Sequence, residues 1–405
     1  MDFNKMIIMR GIENKDNTLV YYYEVSEDVK KLLNIDNKLK IEYSDNISSV
    51  PYEIACIPFI TGILPMIYLE DITVFVDKID MDFYNAFDSI REGYKKMLPK
   101  GEWKGKIIAK EIIDHSDNSE DNKYSQFFSG GLDSTSTLVS NIDKKPDLIT
   151  IWGSDILQSN EKSWNVAKNT TINTAEQFNL RYHLINSNFR FYLNENALTT
   201  KYRDLLPSSW WYDVQHGAAL LGHVAPLAFI NKIKTHFIPA THNQSEKNVV
   251  CASYPTLDEK MCYCGCNVIH DGFDKTRVQK VENVVEYSNK NDCLINLRVC
   301  CTEREEELNC CRCEKCYRTI MEILACKEQP RKYGFDIDDK QIQNIKKFLK
   351  NYEMQDMGVV YWKETQEKML DDKKYFKKIK PVKWMLKYNF DKIKIKDFSK
   401  EVWKD

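Results

Sequence analysis

The chain has 405 residues, enough for two or three domains with cores of their own. Its 43% hydrophobic and 29% charged residues are those of an ordinary globular protein. The 58 basic and 60 acidic side chains nearly cancel, and a net charge of -2 gives no electrostatic ground for DNA binding or for the broad basic surface that a tRNA partner requires.

Met1 to Arg10 shows neither a long apolar core nor a small-residue cleavage site, so no signal peptide is expected. Residues 1–113 read as a small α+β domain, with strands at Thr18–Tyr23 and Ile72–Val76 and a helix near Asp82–Met97. The apolar run Ile54–Leu69 is too short to span a bilayer and is broken by Pro58, Gly62 and Pro65. It reads as buried strands and turns, which leaves no membrane segment and points to the cytoplasm. Asp114–Lys123 is polar and acidic and reads as a linker.

Residues 124–328 alternate apolar strand, turn and helix. The expected strands are Tyr124–Phe128, Leu148–Trp152, Tyr182–Ile185, His236–Pro239 and Leu294–Val299. Helices are expected around Ser134–Ile142, Glu161–Phe178, Val214–Ile233 and Thr276–Tyr287, the last with Val278, Val281 and Val285 at helical spacing. The fold class expected is α/β, a parallel sheet of about five strands with helices on both faces. Such sheets bind ligands at the carboxyl ends of their strands. Residues 329–405 read as a helical, Lys-rich extension, with twelve Lys against six acids over 371–405, a local +6.

Ser129-Gly-Gly-Leu-Asp-Ser134 follows the first of these strands and opens a helix. Gly130 and Gly131 let backbone N–H groups approach a phosphate, with Leu132 continuing the loop into the helix. Ser129, Ser134 and Thr135 add hydroxyls, and the positive end of the helix dipole faces the same point. Asp133 would repel a bare phosphate and reads as a ligand to Mg²⁺ bridging the phosphates. The loop has no Lys, so it is not a Walker A motif. It resembles the SGGxDS fingerprint of the PP-loop ATP pyrophosphatases at all five defining positions. That resemblance implies ATP cleaved between the α- and β-phosphates, with AMP left on a substrate oxygen that a nitrogen or sulfur nucleophile then displaces. It also places the adenine beside the turn after the second strand, at Gly153 and Asp155.

Eight of the thirteen cysteines fall between Cys293 and Cys326, and without a secretion signal such clustering favours metal or sulfur chemistry over disulfides. Cys310, Cys313 and Cys316 form overlapping C-x₂-C units, with Cys301 or Cys300 upstream as the fourth thiolate. Four thiolates suit a closed, structural Zn²⁺ site, the rival being an iron–sulfur cluster. The spacing resembles the zinc site of the 7-cyano-7-deazaguanine synthases, PP-loop enzymes that convert a carboxylate to a nitrile, and that of uncharacterised bacterial PP-loop proteins. A second set, Cys262, Cys264 and Cys266, either holds metal, relays sulfur or only packs.

Asp213, His216, Thr241 and His242 are further candidates for substrate contact; Asp213 reads alternatively as an N-cap and His216 as a packing residue. Lys275, Arg277 and Lys280 resemble the Lys-bearing helix start of the same synthases and would neutralise triphosphate charge, with Asp133, Ser134, Lys275 and Arg277 as the catalytic set. The leading reading is adenylation of a carbonyl or carboxylate oxygen followed by nitrogen substitution. The acceptor is a small molecule or is borne by a peptide or carrier, and the reading leaves room for a homodimer. Sulfur insertion, and a nucleotide-binding protein that has lost its catalytic step, are the alternatives.

Overall fold

The computed structural model describes residues 5–34, 38–300, 308–354 and 356–395. Eleven strands form one sheet: β1 Met6–Lys15, β2 Thr18–Val25, β3 Lys40–Tyr43, β4 Thr73–Asp80, β5 Lys106–Ile113, β6 Glu120–Phe127, β7 Asp147–Trp152, β8 Tyr182–Ser187, β9 Ile233–Pro239, β10 Cys262–Tyr263 and β11 Cys266–Asp271. Their order is β10-β11-β9-β6-β7-β8-β3-β2-β1-β4-β5. The strands β11-β9-β6-β7-β8 run parallel. From β8 to β3, β2 and β1 the pairing is antiparallel, and β1, β4 and β5 are again parallel.

The fold is therefore α/β, but the sheet is mixed and eleven-stranded rather than a five-strand parallel one. Two differences cause this. The short strand β3 pairs Ile41 with Ser187 and Tyr43 with Ile185, which adds the N-terminal strands to the edge that β8 would otherwise leave open. The other difference is at Leu294–Val299, expected as a strand. Its backbone bonds instead to Tyr333 and to the turn after β6, and the outer parallel position belongs to β11.

Alternation along the strands splits the core. In β7, Ile149 and Ile151 join the large apolar cluster, while Leu148 faces Phe128, Leu138 and Ala175 on the other side. The main helices are α1 Met81–Met97, α2 Leu132–Asn141, α3 Glu161–Phe178, α4 His216–Asn231, α5 Arg277–Asn291, α6 Glu314–Ala325, α7 Asp339–Asn351 and α8 Asp356–Asp371. Ile54–Leu69, expected as strands and turns, forms short buried helices at Tyr52–Ala55, Ile57–Gly62 and Leu64–Leu69. Pro58 and Pro65 start the last two, where a missing N–H costs nothing. Helix α4 packs against Ile57–Gly62 so closely that a Cβ at Gly222 would lie 1.8 Å from the Thr61 hydroxyl. The polar stretch 114–123 carries a 3₁₀ turn, Ser116–Asn118, and then the first residues of β6. Among the described residues no helix is long and apolar enough to cross a membrane.

Candidate functional site

The strand order reverses at β6: the chain goes to β7 and β8 on one side and returns to β9 on the other. The carboxyl end of β6 is thus the switch point where open α/β sheets leave a crevice. Ser129–Ser134 occupies it. Gly130 has φ +74, and a Cβ there would come within 2.5 Å of Thr170, so the position requires glycine. Gly131 is the N-cap of α2 and offers no side chain to it, which leaves the N–H groups of the first turn directed outward. The two serines brace the turn. Ser129 Oγ lies 3.3 Å from Ser134 Oγ and accepts from the Gly131 N–H at 3.2 Å, while Ser134 Oγ donates to the Gly131 carbonyl at 3.1 Å. Leu132 and Thr135 are buried, and among the described residues the Thr135 hydroxyl has no hydrogen-bond partner.

A cationic wall faces this turn. Lys280, buried on α5, donates to Asp133 at 3.0 Å and to the Ala240 carbonyl. Arg277 lies 3.9 Å from Asp133 and donates to Glu322 at 3.0 Å and to Thr319 at 3.2 Å. Burial alone would raise the Asp133 carboxyl, but Lys280 and Arg277 overcome it and hold the group below the usual carboxylate range. Arg298 adds a third cation: its backbone N–H donates to the Gly130 carbonyl at 2.6 Å and its Nε to the Ser129 carbonyl at 3.0 Å. Tyr361 of α8 covers the wall, with the Arg277 and Arg318 guanidinium groups 5.7 Å and 4.8 Å from its ring centre. Because Asp133 already faces two fixed cations, its surroundings do not fit a protein-held Mg²⁺. Lys275, in contrast, pairs with the neighbouring Asp274 at 3.5 Å.

Neighbouring turns contribute unevenly. Gly153 has φ +93 and Asp155 is exposed, accepting from the Trp211 indole at 3.2 Å. Thr241 is exposed beside a chain in which the buried His242 meets Glu246 through Nδ1 at 2.5 Å and the hydroxyl of the exposed Tyr212 through Nε2 at 3.1 Å. Asp213 is no N-cap; it sits within a π-helical turn, Trp211–Gln215. Its carboxyl accepts the Ser208 N–H at 2.7 Å and burial raises it to about 6. His216 Nδ1 lies 3.0 Å from the Trp211 carbonyl, and its Nε2 is 3.9 Å from the Cys251 sulfur. Sequence reading missed Tyr212, Glu246, Arg298, Glu322 and Tyr361. Only Glu246 had a local signal, four residues after His242.

The sulfur atoms of Cys300, Cys310, Cys313 and Cys316 all lie within 4.8 Å of one another, and this set can hold a metal ion. Cys313 is the N-cap of α6, accepting the Cys316 N–H at 3.5 Å, which sets two of the thiols one helical turn apart. Asn309 ties the knuckle to the preceding segment, donating to the Leu297 carbonyl at 2.6 Å and accepting the Val299 N–H at 3.0 Å. Cys301, the other expected ligand, lies outside the described residues. Only Val299 separates Cys300 from Arg298, so the knuckle and the turn after β6 share one short tether. Comparison of the chain with protein-family models, with curated proteins and with solved structures gives no match.

Proposed function

We propose that the chain is an ATP pyrophosphatase that adenylates a carbonyl or carboxylate oxygen and then substitutes a nitrogen nucleophile. The observation that carries this reading is Ser129–Ser134 at the sheet's switch point, with an uncapped helix N-terminus and Lys280, Arg277 and Arg298 around it. An anion-binding turn faced by fixed cations suits a triphosphate whose charge shifts as the α–β bond breaks.

In this reading the acceptor oxygen attacks the α-phosphorus and pyrophosphate leaves. The nitrogen nucleophile then attacks the activated carbon, loses a proton and expels AMP. The first-turn N–H groups of α2 and the two serines hold phosphate oxygens. Asp133 is a positioning residue that fixes Lys280 and Arg277. Mg²⁺ enters only as the nucleotide's own counter-ion. The chain Tyr212–His242–Glu246 lies past the carboxyl end of β9 and offers a place for the proton released.

The four thiols fit Zn²⁺, whose ligands at about 2.3 Å stand about 3.8 Å apart; Cys310 and Cys316 sulfurs are 3.8 Å apart. These four thiols would hold such an ion in a closed site, where it would fix the knuckle and the short tether to Arg298 and supply no reacting group. Sulfur insertion is supported less. Burial and neighbouring carboxylates push the Cys262 thiol up to about 12, and burial raises Cys264 and Cys266 well above the ordinary thiol value. Incubation with ATP and carboxylate or carbonyl acceptors is expected to yield AMP and pyrophosphate. Formation of ADP and phosphate in their place would sink the assignment.

A further inference from the structure

Beyond the phosphate loop, the C-terminal extension holds a cavity of about 760 Å³ that contains none of the residues described above. Seven lysines line it, and among the described residues no carboxylate does. Lys346 and Lys350 come from α7, and Lys373 and Lys377 from the short helix after α8 and its C-cap. Lys383 and Lys387 flank the next turn, and Lys392 closes the ring. Two of these sets, Lys346/Lys350 and Lys373/Lys377, are i, i+4 pairs of like charge on helical turns, a spacing that opposes folding unless an anion lies between them.

The extension does not lack carboxylates. Lys327 pairs with Asp372 and Lys363 with Asp391, while Lys368 reaches Glu282 of α5. Lys327, Lys332, Lys363 and Lys368 outside the cavity each meet a carboxylate, whereas among the described residues none of the seven inside it is in an ion pair. The cavity is also braced. Gln366 of α8 donates to the Met385 carbonyl at 2.5 Å and the Tyr388 carbonyl at 2.8 Å. The two-residue strands Glu353–Met354 and Lys394–Ile395 pair beside it. Leu349 and Leu386 give it apolar walls, and the Trp384 and Tyr388 rings meet edge-on at 5.4 Å.

We infer that this cavity binds a compact polyphosphate anion, a small molecule with three or more phosphate groups. Lysine ammonium groups are point charges that take phosphates from any direction, and apolar walls strengthen their field. The volume is that of a small-molecule site rather than of an extended groove. The rings of Trp384 and Tyr388 allow a nucleobase to accompany the phosphates.

The probe is inorganic tripolyphosphate, titrated calorimetrically into the full chain at physiological salt. Saturable binding is expected in wild type and, at the cavity alone, in a Ser129→Ala/Ser134→Ala variant, and at least tenfold weaker binding when Lys383→Gln/Lys387→Gln is added to that serine variant. The double Gln variant is expected to melt at a higher temperature than wild type in ligand-free buffer, which separates lost binding from lost folding. Equal binding by the serine variant with and without the two Gln substitutions overturns the inference. So does loss of binding in the serine variant alone, or an oligothymidylate that binds more tightly than tripolyphosphate.

Discussion

Cys262–Cys266 places three thiols at every second residue of a tight hairpin, whereas Cys310–Cys316 places three at every third residue where a loop enters a helix. In the hairpin, Cys264 and Gly265 form the turn with φ +42 and +76, and Tyr263 pairs with Cys266. Cys264 and Cys266 are buried in the large core, and the turn's N–H groups go to Asp80 at 3.1 Å and Asp82 at 2.7 Å. At the helix entry, the three-residue repeat stacks sulfurs on one side and Cys300 supplies the fourth. Cysteine content alone does not decide which set can hold a metal; the backbone period beneath it does.

The contrast is tested most severely by Cys313→Ser. Loss of one thiolate is expected to take the bound metal from one per chain to none, by elemental analysis, and to weaken ATP binding at least tenfold because Arg298 loses its anchor. Metal retained at one per chain would place the site elsewhere. Cys266→Ala should do the reverse, with metal and nucleotide affinity unchanged and a stability loss of about 1–2 kcal/mol in urea melts from a small core cavity. Metal loss in that variant would erase the distinction between the two segments.

A smaller effect concerns Asp80, which caps α1 through the Phe83 N–H and holds the Cys264 N–H, with its second oxygen buried and, among the described residues, unpartnered. Burial raises its carboxyl to about 6. A carboxyl raised by folding adds stability below its unfolded value near 4, and that contribution is lost as pH rises through 6. Asp80→Asn keeps the cap and should flatten the stability profile between pH 4 and 6 by roughly 1–2 kcal/mol. An unchanged slope in that window would show that Asp80 does not titrate there.

Much of the site was legible because its signals are local. Ser129–Ser134 announces a strand-to-helix turn, Glu161–Phe178 shows its helix in full, and the C-x₂-C units give their period directly. What escaped depends on pairing between distant segments. Leu294–Val299 alternates as a strand does, with Leu294 exposed and Ile295 and Leu297 buried, yet its partners are a turn and an asparagine. In Cys266–Asp271 the strand pattern was masked by the attention its cysteines draw. Ile54–Leu69 is buried on nearly every side, so neither helical nor strand period survives in it. The cationic wall was visible only in part, since Arg298, Glu322 and Tyr361 reach it from three separate segments.

The single ladder running from β11 to β5 has a mechanical consequence. Strand ends that carry the phosphate turn and the Thr241 turn are locked edge to edge by backbone hydrogen bonds, so the floor of the site is stiff. Its cover is not built that way. Helix α8 reaches the rest through side chains: Trp362 donating to Glu314 at 2.9 Å, Lys368 to Glu282, and Tyr361 beneath two guanidinium groups. The two sides of the candidate site are thus held differently: the floor by a continuous backbone ladder, the cover by side-chain packing that includes the buried Trp362 and Met369.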